Sequence, residues 1–216
     1  MRALRYFVNN LDRIGGYAAQ HAVLIVIAIV IAVVVWVSVG IMVRNSRRMA
    51  RGVLAVASLI MSVPSVALYG ILVSIPGLGL SRQSAVLALV LYAMLPIIRN
   101  VYVALNGVDP AVMEAARGMG MSQRRILFRV QLPLATPVIL AGVRVSVVMM
   151  VGIATLAVFI GERNLGVLIQ QGLVRTRSDM IIVGAVIVSV FAVFIDYLFN
   201  KLERVLVSPG IRGDAS

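Results

Sequence analysis

The 216-residue chain has no cysteine and a single histidine, His21. Disulfides, thiolate metal sites and cysteine nucleophiles are excluded, and so is a multi-histidine metal centre. Lysine is almost absent: Lys201 is the one Lys among 20 basic residues, and it sits between Asn200 and Leu202. A phosphate-binding loop of the form Gly-x-x-x-x-Gly-Lys-Ser/Thr needs a lysine behind a glycine-rich turn, so this chain holds no such loop. Charge is scarce as well, at 13 % of residues, where a soluble domain carries about 25 %. The eight acidic residues form no close pair suited to acid–base catalysis. Neither His-Glu-x-x-His nor Gly-x-Ser-x-Gly occurs.

What is abundant is apolar surface: 61 % of residues are hydrophobic and the mean hydropathy is +1.03. A globule of this size keeps too much of its area in water to hide that content, which leaves an integral membrane protein in a lipid bilayer. The net charge of +12 would suggest nucleic acid in a soluble protein. Here the charges flank apolar runs, so they report membrane orientation and no nucleic-acid partner is expected. Five runs are long enough to cross a bilayer, at approximately 17–43, 53–75, 84–105, 134–160 and 180–199. The expected fold class is therefore an all-α membrane protein with five transmembrane helices in one domain over 1–216. The first run is too long for a signal peptide and is followed by Arg44, Arg47, Arg48 and Arg51, a stop-transfer cluster. Five spans put the termini on opposite sides. Twelve basic residues fall on one side, in the loop after the first run, in the loop after the third run taken together with Arg99 near that run's end, and in the C-terminal tail, against seven on the other side. The positive-inside rule then predicts a cytoplasmic C-terminus and an external N-terminus.

The segment 106–133 does not read as a simple connector. Asp109 suits an N-cap and Pro110 the first helical position. Ala111 to Arg117 are mostly strong helix formers, and Gly118 and Gly120 can end the helix. Ser122 then caps a second short helix with Arg124, Arg125 and Arg129 opposite Ile126 and Val130. Pro133 and Pro137 mark the start of the next run. Two short helices joined at glycines are expected, with Ala115, Ala116 and Gly120 small enough for another surface to approach closely. A connector needs only a few residues, so this length asks for a partner. The alternative is an amphipathic segment lying on lipid headgroups.

Glu114-Ala115-Ala116, three residues, Gly120, nine residues, Val130, one residue and Leu132-Pro133 resemble the EAA signature of permease subunits of bacterial ABC importers. Val130 replaces the usual Ile. The resemblance covers about Pro64 to Glu203. It implies that residues Asp109, Pro110, Glu114, Ala115, Ala116, Gly118, Gly120, Ser122, Leu132 and Pro133 belong to a coupling loop that docks on a cytoplasmic ATPase. Within importers the chain resembles osmoprotectant permeases, for glycine betaine, choline or carnitine. Pro64-Ser65-Val66-Ala67-Leu68-Tyr69-Gly70, Gly77-Leu78-Gly79, Leu91 to Asn100 and Ala141-Gly142-Val143-Arg144 carry that likeness. Methionine-type permeases share the five-helix plan and are the nearest alternative. The turn Gly161-Glu162-Arg163-Asn164-Leu165-Gly166 is charged where such permeases are often glycine-rich.

The resemblance further implies a non-catalytic subunit in the bacterial cytoplasmic (inner) membrane, without a cofactor of its own. ATP and Mg would be bound by a partner ATPase dimer, a second permease subunit, identical or paralogous, would complete the passage, and an extracytoplasmic solute-binding protein would deliver solute. An aromatic cage for a quaternary ammonium group is expected in that binding protein, since the 13 aromatics here are dispersed. A reading of another class is a passive channel or membrane scaffold.

Candidates for the passage or its gate are Pro64, Ser65, Tyr69, Tyr92, Pro96, Arg144 and Met149. Pro64 and Pro96 interrupt runs and read equally as hinges or as static kinks. Arg144, inside the fourth run, lines or gates a passage, or else bonds to helix carbonyls or an acid at a helix interface. Asp196 is expected to pair with Arg99 or Arg204, and His21 to anchor the first run at the interface.

Overall fold

The computed structural model describes residues 2–206. The tail that follows, with the Arg212 counted above, lies outside the described residues. Among the described residues every regular element is helical: α1 (Arg2–Asn9), α2 (Leu11–Val43), α3 (Arg47–Ser62), α4 (Ser65–Val73), α5 (Arg82–Asn106), α6 (Pro110–Gly118), α7 (Gln123–Ile126), α8 (Leu132–Ala154), α9 (Gly166–Val174) and α10 (Ser178–Leu206). A π-turn over Leu127–Gln131 joins α7 to α8, and a 3₁₀ segment over Thr155–Ile160 extends α8. Among the described residues four stretches are each long and apolar enough to cross a membrane, Leu11–Val43, Arg82–Asn106, Gln123–Ile160 and Ser178–Arg204, and the bent pair Arg47–Ser62 and Ser65–Val73, taken as one broken span, makes the fifth. In hydrocarbon a chain must satisfy its own backbone groups, and these helices do so within each segment.

The second apolar run departs from expectation. It is not one helix with a kink but two, α3 and α4, meeting at 98°. Val63 (φ −69, ψ 129) and Pro64 (φ −56, ψ 133) are both extended. Proline pushes the residue before it out of the helical region and offers no amide to continue the ladder. The Val63 carbonyl left at the break is taken by the Tyr92 hydroxyl of α5, at 2.5 Å. Pro64 is thus a helix break, and α3 starts at Arg47, with Ser46 accepting the Met49 amide at 3.3 Å.

α5 is the central post. Ala85, Ala88, Leu89, Tyr92, Ala93, Ile97 and Val101 are buried along it, with α2 on one side and α8 on another. Trp36 of α2 donates its indole N–H to the Val90 carbonyl at 2.7 Å. Where α5 meets α8, a Cβ on Gly142 would stand 2.6 Å from Asn100 Cβ. That residue must lack a side chain for the two helices to touch, the usual device for membrane helices that have no hydrophobic drive to associate. α3 packs on α5 through Ala57, Met94 and Ile98, while α10 lies against α8 and α9.

The His21 side chain does not face outward as an anchor. It is 0 % exposed, its Nε2 lies 3.2 Å from the Val151 carbonyl of α8, and its ring meets Phe191 of α10 edge-on at 5.5 Å. It joins three helices inside the bundle. A position near the end of an apolar run does not say which way a side chain turns, and here the packing partners decided.

One end of the bundle gathers α1, the turn between α4 and α5, the turn after Ile160, and α9. Arg82 pairs with Glu162 at 2.7 Å and Arg177 sits 5.6 Å over the Tyr6 ring. The other end carries the turn after α2 and the segment around α6.

Candidate functional site

The segment between α5 and α8 is built from both ends by caps. The Asp109 carboxylate accepts the Ala111 amide at 2.8 Å and Pro110 takes the first helical position. At the other end of α6 the Gly120 amide donates to the Arg117 carbonyl at 2.9 Å, and the Met121 amide donates to the Ala116 carbonyl at 3.2 Å. This pair of bonds is a Schellman closure, and it needs a left-handed residue between them. Gly120, at φ +74, supplies it; a side chain there would cost about 1–2 kcal/mol. Gly118 is simply the last helical residue. The chain then reaches Ser122, whose hydroxyl accepts the Arg125 amide at 3.4 Å.

The helix that Ser122 opens is not a separate short element, as expected, but the first turn of the fourth span. α7, the π-turn and α8 run on as one stretch from Gln123 to Ile160. The π-turn has a local cause. Pro133 lacks an amide and its ring would collide with the Arg129 carbonyl in a regular helix. The turn widens, so that the Leu132 amide donates to the Leu127 carbonyl, five residues back. Ile126 and Leu127 are buried at its inner face, and the Gln131 amide group reaches the Leu105 carbonyl of α5 at 3.3 Å.

α6 itself has little to hold on to. Ala116 is its one buried residue, whereas Glu114, Ala115, Gly118 and Gly120 are exposed, and Met119 at its tip is 74 % exposed. A nine-residue helix is marginal in isolation, so the caps and the Ala116 contact hold its shape. Leu132 is half-buried and Pro133 exposed where the span begins. Pairwise, then, the loop candidates lie in one continuous structure that leaves the bundle, turns and re-enters it.

The passage candidates scatter. Tyr69 and Tyr92 are 1 % and 5 % exposed, and both hydroxyls are spent on backbone: Tyr92 on Val63, Tyr69 on the Ile153 carbonyl at 3.3 Å. Within this chain they are struts that hold the broken helix against α5 and α8. Pro64 is exposed at the break and Ser65 opens α4. Pro96 lies half-buried in an unbroken α5, and Met149 is half-buried on α8. Arg144 makes a two-pronged contact with Asp196, at 2.5 and 2.7 Å, and reaches Asn200 at 2.8 Å. Asp196 therefore bonds to Arg144 rather than to Arg99 or Arg204. The planar guanidinium fits a carboxylate in this way, and the pair stitches α8 to α10 inside the apolar zone, where an uncompensated charge would be costly.

Two polar features at the α9 end escaped the sequence reading. Glu162, 8 % exposed, receives the Arg82 Nε–H at 2.8 Å. Asn164 is fully buried; its amide donates to the Ala154 carbonyl at 2.9 Å and its oxygen accepts the Gly166 amide at 2.7 Å. The Asn-x-Gly spacing was the local signal for this turn. Nothing local marks Arg82, eighty residues away, as the partner of Glu162.

Residues 25–207 match the model of a family described as binding-protein-dependent transport system inner membrane component. The chain is 35 % identical to the osmoprotectant import permease protein OsmW of Salmonella typhimurium, over 98 % of this chain and 100 % of that one. It is 36 % identical to the glycine betaine/carnitine/choline transport system permease protein OpuCB of Bacillus subtilis, over 90 % and 88 %. Among solved structures it resembles a chain of the MetNI methionine ABC transporter in inward-facing conformation, with a TM-score of 0.79 at 20 % identity, over 90 % of this chain and 96 % of that one.

Proposed function

The chain belongs to the family of binding-protein-dependent transport system inner membrane components, and from that premise we propose that it forms half of the passage of an ABC importer for small quaternary-ammonium osmoprotectants. Glycine betaine, carnitine and choline are the solute class, by analogy with the relatives named above. One observation carries the mechanical part of this reading. α6 is capped at both ends, projects from the bundle with an exposed tip, and is joined by the short turn 119–122 to the stretch Gln123–Ile160, which is long and apolar enough to cross the membrane. A shape held so firmly around so little buried surface is suited to being gripped from outside.

In this reading the α6 end faces the cytoplasm and a separate ATPase subunit receives the loop, with Glu114, Ala115 and Met119 on the contact face. ATP and Mg are bound there and not in this chain. Closure of the ATPase pair moves the two loops of a permease pair. The stiff Gln123–Ile160 stretch carries that displacement across the membrane, and the passage between the two permeases opens alternately to each side. The Arg144–Asp196 contact makes α10 follow α8. The 98° break at Pro64 gives the α3–α4 pair a joint. The α9 end, with the Arg82–Glu162 pair, faces outward, where an extracytoplasmic binding protein delivers solute.

The test is ATP hydrolysis by the complex of this permease with its ATPase and binding protein in vesicles, with betaine, carnitine, choline or methionine supplied. Stimulation by a quaternary ammonium solute and not by methionine supports the assignment. Stimulation by methionine alone overturns the solute class, and a permease that copurifies with no ATPase overturns the coupling role.

A further inference from the structure

α2, α8 and α10 enclose an open groove of about 520 Å³. Its walls include Val30, Val33 and Val37 of α2, Ile139 and Leu140 of α8, and Phe199 of α10. Among the described residues the only polar side chain in the lining is Thr136, and its hydroxyl is already donated to the Leu132 carbonyl at 2.8 Å. An occupant finds no free polar partner inside, so the groove suits hydrocarbon and penalises any buried polar group.

The chemistry changes at one mouth. On α2 the residues Val30, Val33 and Val37 recur at helical spacing, and the same stripe continues through Ile41 to Arg44. Arg44 donates to the Ile41 carbonyl at 2.8 Å, which keeps its side chain along the stripe. Arg129, exposed, lies in the turn immediately before Leu132, another residue of the lining. On α10 the acidic Glu203 adjoins Leu202 of the lining. Asp196 is committed to Arg144. Arg44 thus lies two helical turns beyond Val37 and Arg129 just before Leu132, while Lys201, Glu203 and Arg204 cluster around Leu202, so basic residues outnumber acidic ones at this end of the groove. The length is also telling. From Val30 to Arg44 the helix advances about 21 Å, which equals half of a bilayer of about 40–45 Å including its headgroups. The apolar groove and its cationic mouth together span one leaflet.

We propose that this groove binds one phospholipid with an anionic headgroup, an acyl chain lying between α2, α8 and α10 and the phosphate at Arg44 and Arg129. Such a lipid joins α2 to the helix that continues into the α6 loop, so its occupancy weighs on the movement of that loop. The inference requires membrane insertion only and holds whichever solute is carried.

The test uses the intact transporter in nanodiscs of phosphatidylglycerol and phosphatidylcholine in equal parts, with retained lipids counted by native mass spectrometry. The wild type is expected to keep one phosphatidylglycerol per permease subunit. Arg44→Gln lowers the preference for phosphatidylglycerol about fivefold, while Arg51→Gln, on α3 at the same end of the bundle, leaves it unchanged. Leu140→Trp fills the groove and abolishes retention of either lipid, and Val33→Phe does the same should the tryptophan variant not fold. Equal retention of both lipids, or a preference indifferent to Arg44, overturns the proposal. So does efficient crosslinking of a Val33→Cys variant to another protein chain, which would assign the groove to a protein neighbour.

Discussion

Gly142 and Gly120 stand at opposite kinds of place. Gly142 is walled in by Asn100, so closely that any side chain would overlap it, whereas nothing lies within 4 Å of where a Cβ on Gly120 would point. The first is glycine because two helices of the same chain press together. The second is glycine because the backbone turns left-handed in open space, at φ +74. The α2–α5–α8 core is therefore a region whose demands the chain meets itself. The α6 loop is shaped by the chain but, Ala116 apart, left exposed by the described residues, and this difference separates the part that makes the protein fold from the part that makes it useful to a partner.

Substitutions on the two sides should fail differently. The largest effect is expected for Gly142→Leu, which overpacks the α5–α8 contact at a cost of about 3 kcal/mol. Folded permease should be nearly absent from gel filtration in detergent, and a monodisperse product with unchanged melting would show that the helices do not meet this closely. Gly120→Val should do the reverse. Its strain of about 1–2 kcal/mol falls on an exposed loop, so insertion and melting of the bundle stay close to wild type while solute-stimulated ATP hydrolysis is lost. Retained stimulation would mean that the Schellman closure is irrelevant to coupling.

A smaller effect is expected at the seam between α8 and α10. Arg144→Ala leaves Asp196 charged and unpaired among apolar neighbours, so the single variant should be less stable than Arg144→Ala combined with Asp196→Ala. Thermal melts of the four-member cycle should show that the two substitutions are not additive, the double variant melting above the sum of the single losses. Additive losses would mean that the two groups do not act as a pair. The smallest effect is Tyr92→Phe, which removes one hydrogen bond to the carbonyl at the helix break and should cost about 1 kcal/mol. Because that carbonyl belongs to the joint, the variant should alter the transport rate more than it alters melting. The opposite ranking would make Tyr92 an ordinary core residue.

The two prolines show where local reading stopped. Pro64 and Pro96 each interrupt an apolar run, and each frees a carbonyl. At Pro96 the helix continues, packed between α2, α8 and α3. At Pro64 the chain turns by 98° because Tyr92, from another helix, is placed to receive the opened backbone. Nothing within a few residues of either proline distinguishes them. The same holds for His21, placed at an interface by its position in the run and drawn inward by Val151 and Phe191; the short helix after Ser122 differs, because the Pro133 that widens the turn and fuses it to the fourth span is a near neighbour in sequence.

The amino-acid sequence by itself determined what depends on neighbours along the chain. Apolar runs dictate transfer into the bilayer, and Asp109-Pro110 and Gly120 dictate where α6 starts and stops, because caps and left-handed turns involve residues two to five apart. Only the tertiary structure decided which charges meet. Arg144 found Asp196 and Arg82 found Glu162 because helices distant in sequence lie side by side, and a charge in a low-dielectric surrounding takes whichever counter-charge the packing brings within reach.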